Sequence, residues 1–452
     1  MHGPVERVQA RVATLLRLAW PIIVSRSSQV VIGLADALMV AHLGQAALAA
    51  TTTGAMNAYS LFILPMGIAF IVSSFSSQYF GRGDLAGARR YGFYGLALAL
   101  GTQLVCLASI PLLGGALGLF EFAPDVHALL HSYLAIRLLS GGAVIVNEAL
   151  ANYYGGIGNT RLPMIVNLVA MVLNVGLNWL LIDGNLGFPA MGVVGAAWAS
   201  SISSWLAAAG FLAVFLLDGK RAGMIVPRLH GRELLRMLRF GLPSGLNWFF
   251  EFFAFMFFVN VVVGGLGTTA LAALMSVIQL NSVSFMPAFA LASAGAIVVG
   301  QAIGGRALSE VPRAAGLTFL IAAAWQVVVG VVYLFLPRLA FMPFARGEGA
   351  AELLDVGARM LTVSVAWQLF DAAATTLAEA LRAAGDTAFT LWTRLALAWL
   401  VFVPGSLYSV RVLGAGELGA MWWLVAYLGF LAAILFLRFR SGAWKRIQLV
   451  EA

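Results

Sequence analysis

Leu16-Arg17-Leu18-Ala19-Trp20-Pro21 returns 222 residues later as Leu238-Arg239-Phe240-Gly241-Leu242-Pro243. The correspondence continues outward and stays in order. Leu43, Gly44, Ala47, Leu48, Ala49 and Ala50 reappear as Leu266, Gly267, Ala270, Leu271, Ala272 and Ala273, and Pro65 reappears as Pro287. Gln78-x-x-Gly81-x-x-Asp84 faces Gln301-x-x-Gly304, and Gly158-Asn159-Thr160 faces Gly385-Asp386-Thr387. Alanine matches carry little weight in so Ala-rich a chain, but prolines and loop residues kept in register do. The chain is therefore read as one unit written twice.

The repeated unit is apolar. Of 452 residues, 61% are hydrophobic and 10% charged, against about 25% charged in soluble domains. A helix needs about 20 mainly apolar residues to cross the hydrocarbon. Such runs recur over approximately 15–42, 47–80, 91–119, 126–155, 161–183, 190–217, 235–264, 269–304, 313–341, 353–381, 387–412 and 416–437. The expected fold is an all-α polytopic membrane protein with twelve transmembrane helices in two six-helix bundles. Six crossings return the chain to its starting side, so the bundles should share an orientation about a pseudo-twofold axis along the membrane normal. The expected division is 1–219, a cytoplasmic linker at 220–234, and 235–452. With 49 Gly and 14 Pro in the chain, breaks within spans are expected wherever neighbours can satisfy the freed backbone groups.

The charge of +8 belongs to membrane topology rather than to a nucleic-acid partner. With the N-terminus in the cytoplasm, 20 of the 27 Lys and Arg fall in inside segments, Lys220 to Arg239 densest among them, and four outside: Arg338, Arg346, Arg359 and Arg411. The positive-inside rule then places both termini in the cytoplasm. Met1 to Thr14 carries no cleavable-signal pattern, so the first span is expected to remain. The lone Cys106 excludes an internal disulfide and a cysteine-based metal site. No phosphate-binding glycine loop occurs. His2, His42, His127, His131 and His230 form no ligand motif, and His42 reads as packing at a helix end. Neither an ATP-driven motor nor an enzyme is supported.

The chemistry lies in the charges inside the spans, since an ionised Asp at a helix centre costs at least about 2.5–3.5 kcal/mol. Glu379 has Arg382 at i+3 and reads as a structural ion pair. Glu148 can pair with Arg137 or Arg26, with structural and functional roles both open. Asp36, Glu251 and Asp371 have no opposite charge at helical spacing in their own spans and read as functional. Around Glu251 the sequence sets Phe249, Phe250, Phe252 and Phe253. Most such rings pack against lipid or core, yet π faces around an anion suit a lipophilic cation, at about 0.5–2 kcal/mol per well-placed ring. Glu251 and Asp371 are therefore expected to share one carboxylate site.

The chain resembles the multidrug and toxic compound extrusion (MATE) family, in its NorM-type branch, over essentially its whole length. The matching pieces are Pro21 with Asp36, Gln78 to Asp84, Gly158 to Pro163, Asn174-Val175-Gly176-Leu177-Asn178, Gly187 to Ala197, Glu251, Gln368-Leu369-Phe370-Asp371 and Leu381 to Thr387. The resemblance implies a secondary active exporter in the bacterial inner membrane, a monomer antiporting organic cations against protons or sodium ions by alternating access, with no other cofactor. It implies that Asp36, Asn174, Asn178 and Ser200 respond to the coupling ion, Ser200 standing where the family often has threonine. It assigns Glu251 and Asp371 to both ion and substrate, so that Asp36, Glu251 and Asp371 are the sodium ligands if sodium is used. Phe252 and Trp367 join the substrate site. Trp367 replaces a tyrosine common in the family; an indole offers no oxygen to sodium, which favours protons. The alternative is a flippase for lipid-linked precursors, which calls for a cationic cavity, whereas carboxylates outnumber Arg26, Arg137 and Arg394 within the spans.

Reporter fusions test the topology. Fusions in the Asp218 to Arg239 segment and at the C-terminus should report the cytoplasm, and an external signal from that segment would contradict the charge reading.

Overall fold

The computed structural model describes residues 11–120, 123–223, 228–345 and 349–450. His2, Arg7, Arg346 and positions 224–227 of the expected linker lie outside the described residues. The described chain is almost wholly helical. Its helices are α1 (Val12–Val40), α2 (Gln45–Ala69), α3 (Ile71–Gly81), α4 (Leu85–Ser109), α5 (Leu113–Leu117), α6 (Pro124–Leu138), α7 (Gly141–Gly156), α8 (Arg161–Ile182) and α9 (Val193–Arg221). They continue with α10 (Gly231–Phe257), α11 (Thr268–Gly304), α12 (Glu310–Phe335), α13 (Pro337–Phe341), α14 (Ala350–Ala384), α15 (Thr387–Ala396), α16 (Val403–Arg411) and α17 (Gly416–Arg440). Among the described residues, eleven helical stretches are long and apolar enough to cross a membrane. The twelfth is the pair α6 and α7, bent by 48° at a short break before Gly141 and Gly142. The protein is a multi-pass membrane protein.

By contacts the chain divides into two compact units. One runs from Pro21 to Gly245; the other starts at Leu246 and includes the beginning of α1 up to Trp20. The repeat seen in sequence is repeated in backbone conformation. Gly44 caps α2 at φ 107°, ψ 175°, after a 3-10 turn, and Gly267 caps α11 at φ 107°, ψ 172°, after the equivalent turn. Only glycine takes that conformation without strain, which is why Leu-Gly survives in both copies. Asp84 accepts a hydrogen bond from the backbone N–H of Gly87 at 2.7 Å and so caps α4. Pro21, Pro65, Pro243 and Pro287 all sit inside helices, each removing one backbone hydrogen bond at matching places in the two copies.

In the unit from Pro21 to Gly245, α8 and α9 pack with almost no side chain between them at one point. A Cβ on Gly195 would lie 2.5 Å from the carbonyl oxygen of Leu181. This close approach, the small-residue packing common between membrane helices, brings the next turn and a half of α9 against the polar face of α8. Beside it Val40, Ala47, Ala50, Tyr133, Ile182, Val193, Ala196 and Ala197 form a buried apolar cluster.

Gly195→Val should therefore separate α8 from α9 and destabilise the protein by about 1–3 kcal/mol, the usual cost of overpacking. Thermal unfolding in detergent measures this. A melting temperature equal to wild type would show that the contact does not hold the two helices together.

Candidate functional site

In the unit from Pro21 to Gly245, Asp36 enters from α1, Asn174 and Asn178 from one face of α8 at i and i+4, and Ser200 from α9. All four are buried, none more than 7% exposed. Asn178 Nδ2 donates to Asp36 Oδ1 at 2.5 Å, and Ser200 Oγ donates to Asp36 Oδ2 at 2.8 Å. Asn174 Nδ2 donates to Ser200 Oγ at 3.1 Å, and Asn178 Nδ2 also donates to Asn174 Oδ1 at 3.2 Å. Every direct donor to the carboxylate is thus neutral. Arg137 and Tyr133 lie within electrostatic range, and neither was singled out by motif. Asn178 Oδ1 is buried with no hydrogen-bond partner. A carboxylate in a ring of amides and a hydroxyl, with one amide oxygen unpartnered, suits either a proton on the carboxylate or a hard cation, which prefers carboxylate and carbonyl oxygen.

The same unit holds a second buried acid. Glu148 on α7 accepts from Arg26 Nη2 at 2.9 Å and from Arg26 Nη1 at 3.4 Å, a two-pronged pair that settles its partner as Arg26. Asn152 Nδ2 donates to the same carboxylate at 2.9 Å, and the guanidinium lies 5.2 Å from the centre of the Phe70 ring. Arg137 instead donates to Ser140 Oγ at 3.3 Å. His42 contacts Asp183 at 2.9 Å on an exposed edge.

In the other unit, Asp371 on α14 accepts from Gln326 Nε2 at 3.3 Å and Thr375 Oγ1 at 3.5 Å. One turn earlier on α14, Gln368 Nε2 donates to Asn281 Oδ1 at 3.3 Å, and Asn281 Nδ2 donates to Ser364 Oγ at 3.1 Å. Ser364, Gln368, Asp371 and Thr375 form one polar stripe at helical spacing along α14. Trp367 is buried on the same helix. Glu379 and Arg382 pair within α14 at 2.5 Å, as their i, i+3 spacing led one to expect.

Glu251, an acid without a partner at helical spacing in its own helix, finds one across helices. Arg394 Nη1, on α15, donates to Glu251 Oε2 in a direct ion pair. The rings are present: Phe249 lies 4.5 Å from Phe253 and Phe252 lies 5.9 Å from Phe253, centroid to centroid. They pack on one another, and Phe250 lines a crevice beside the ion pair. Helical spacing reports partners within one helix, whereas Arg394 is 143 residues away in the chain. The signal available in sequence was Arg394 itself, an arginine inside an apolar run with no acid at i±3 or i±4.

Among the described residues no three His, Cys, Asp or Glu side chains converge on a metal-like centre.

The sequence and the fold have counterparts among known proteins. The MatE family model matches residues 21–180 and 243–407, once in each copy of the repeat, the two matches starting 222 residues apart. "Probable multidrug resistance protein NorM" of Deinococcus radiodurans is 30% identical over 438 residues, covering 95% of each chain. "Multidrug resistance protein NorM" of Aliivibrio fischeri is 25% identical, over 88% of this chain and 87% of that one. Among solved structures, a MATE protein in complex with MaL6 superposes with TM-score 0.88 at 23% identity over 98% of both chains. A MOP superfamily transporter from Pyrococcus furiosus, described as having a binding pocket of reversed polarity, gives 0.87 at 22% over 98% of both. With both copies of the repeat matched, the chain belongs to the MatE family and is a transporter, not an enzyme.

Proposed function

We propose that this transporter exports organic cations across the bacterial inner membrane in exchange for protons or sodium ions, by alternating access, as a monomer with both termini in the cytoplasm. The observation that carries this reading is the Asp36 ring. It is a buried carboxylate held only by neutral donors, with the adjacent Asn178 Oδ1 unpartnered. A charge so placed is tolerated when a mobile positive ion shares the site for part of the cycle. Loading and unloading that ion would reorganise the donors on α8 and α9 and change how α1 packs against them.

Asp371 offers a second such carboxylate, with an amide and a hydroxyl as direct donors. The cationic substrate is assigned to the unit that holds Asp371, Glu251, Phe252 and Trp367. The names of the NorM relatives from Deinococcus radiodurans and Aliivibrio fischeri agree with multidrug export. The flippase alternative needs cationic side chains free to receive anionic head groups. Arg26 and Arg394 are instead committed to Glu148 and Glu251, and Arg137 contacts Ser140 while facing Asp36.

Proteoliposomes carrying the purified protein test the reading directly. An imposed proton or sodium gradient should drive counterflow of a fluorescent organic cation, and the ion that does so identifies the coupling. Asp36→Asn keeps the shape and removes the charge. It should reduce gradient-driven transport by roughly tenfold or more, equivalent to ~1.4 kcal/mol, while the protein remains folded. Ser200→Ala removes one of the two direct donors to Asp36 and leaves its charge, and should reduce transport less than Asp36→Asn. Undiminished transport by folded Asp36→Asn would remove Asp36 from the coupling site.

A further inference from the structure

The second unit contains an uneven charge set. Glu251 and Asp371 supply two negative charges and Arg394 one positive, all buried or half-buried within mutual electrostatic range. Arg394 gives Glu251 a single Nη1 contact, and its Nε has no partner. Around the pair, Asn247, Phe250, Leu391, Leu395 and Ala398 close in so tightly that no water-sized space remains, and Asn247 Oδ1 is likewise unpartnered. Buried polar atoms left unsatisfied are uncommon, and each calls for an explanation. Here they leave the guanidinium only partly held where it is.

The backbone next to the pair is irregular in a matching way. Both helices that carry the partners run into π-helical turns, at Phe258–Val263 after α10 and at Leu397–Phe402 after α15. The two π segments pack on each other through Phe258 and Phe402, with ring centroids 4.9 Å apart. Single π turns accumulate at functional sites, because the extra residue in the turn lets a helix rotate locally without being broken.

Resting on the proposal of cation export, we infer that Arg394 is the resident counter-cation of Glu251 and Asp371. The site then accepts one further positive charge, and a monovalent cation enters by displacing the guanidinium from Glu251 toward Asp371. The ligand class is a monovalent lipophilic cation. It meets Glu251 and the neighbouring phenylalanine faces once the tethered competitor has moved. A second positive charge on the ligand would have no carboxylate left to meet.

Binding of tetraphenylphosphonium to the purified full-length protein tests this through charge-balanced variants. Glu251→Gln leaves one carboxylate facing one guanidinium, and affinity should fall by about tenfold or more. Glu251→Gln combined with Arg394→Met leaves Asp371 alone, the same net charge as wild type, and affinity should return to within about threefold of it. Arg394→Met alone should bind tetraphenylphosphonium more tightly and a bis-quaternary ammonium dication more tightly still, whereas Arg394→Lys should keep the wild-type preference. A double variant as weak as Glu251→Gln, or weakened binding by folded Arg394→Met, would overturn the inference and leave cation export standing. If wild type binds no tetraphenylphosphonium, it is the export proposal that fails. The counter-cation is then tested by sodium alone: Arg394→Met should show a larger sodium-dependent rise in melting temperature than wild type, and equal shifts would refute it.

Discussion

The structure depends on one constraint: a charge inside the hydrocarbon must find its compensation within its own packed unit. The chain meets it in two ways. Glu148, Glu251 and Glu379 are matched by Arg26, Arg394 and Arg382. Asp36 and Asp371 are held by amides and hydroxyls and, among the described residues, contact no cationic side chain directly. A glutamate with a guanidinium is neutral as a pair and persists unless another charge competes for the guanidinium, as Asp371 does beside Glu251 and Arg394. An aspartate with only neutral donors keeps a net charge, and that residual charge is what gives a mobile ion a reason to bind.

The helices are arranged to make this possible. Asn174 and Asn178 lie one turn apart on α8, so Asn178 reaches Asp36 on α1 while Asn174 links Asn178 to Ser200 on α9. The contact of Gly195 with the backbone of α8 lets Ser200 reach the carboxylate from a third helix. On α14 the repeat of Ser364, Gln368, Asp371 and Thr375 gives a polar stripe whose partners come from α11 and α12. The two stripes share no sequence motif, yet each sets a carboxylate among amide and hydroxyl groups. In hydrocarbon a carboxylate needs donors, and amides and hydroxyls supply them without adding charge.

The membrane class, the twofold duplication of a six-span unit and most of the span positions are legible in the chain alone. These follow from composition, helical run length and punctuating Gly and Pro residues, all of which are local. Local reading also found the Glu379 and Arg382 pair, three residues apart, and marked Asp36 as an acid without a partner in its own helix. Asn174, Asn178 and Ser200 were identified through resemblance to a family. Which charge meets which is set by the packed helices. Glu148 took Arg26 rather than Arg137, and Glu251 took Arg394, a residue the sequence reading had left without a role. Gln326, Asn281 and Thr375 entered the picture only once α11, α12 and α14 were packed together. Partner choice across helices depends on packing and helix rotation, because residues more than a hundred positions apart meet only after the helices assemble. No spacing rule along one chain segment encodes it.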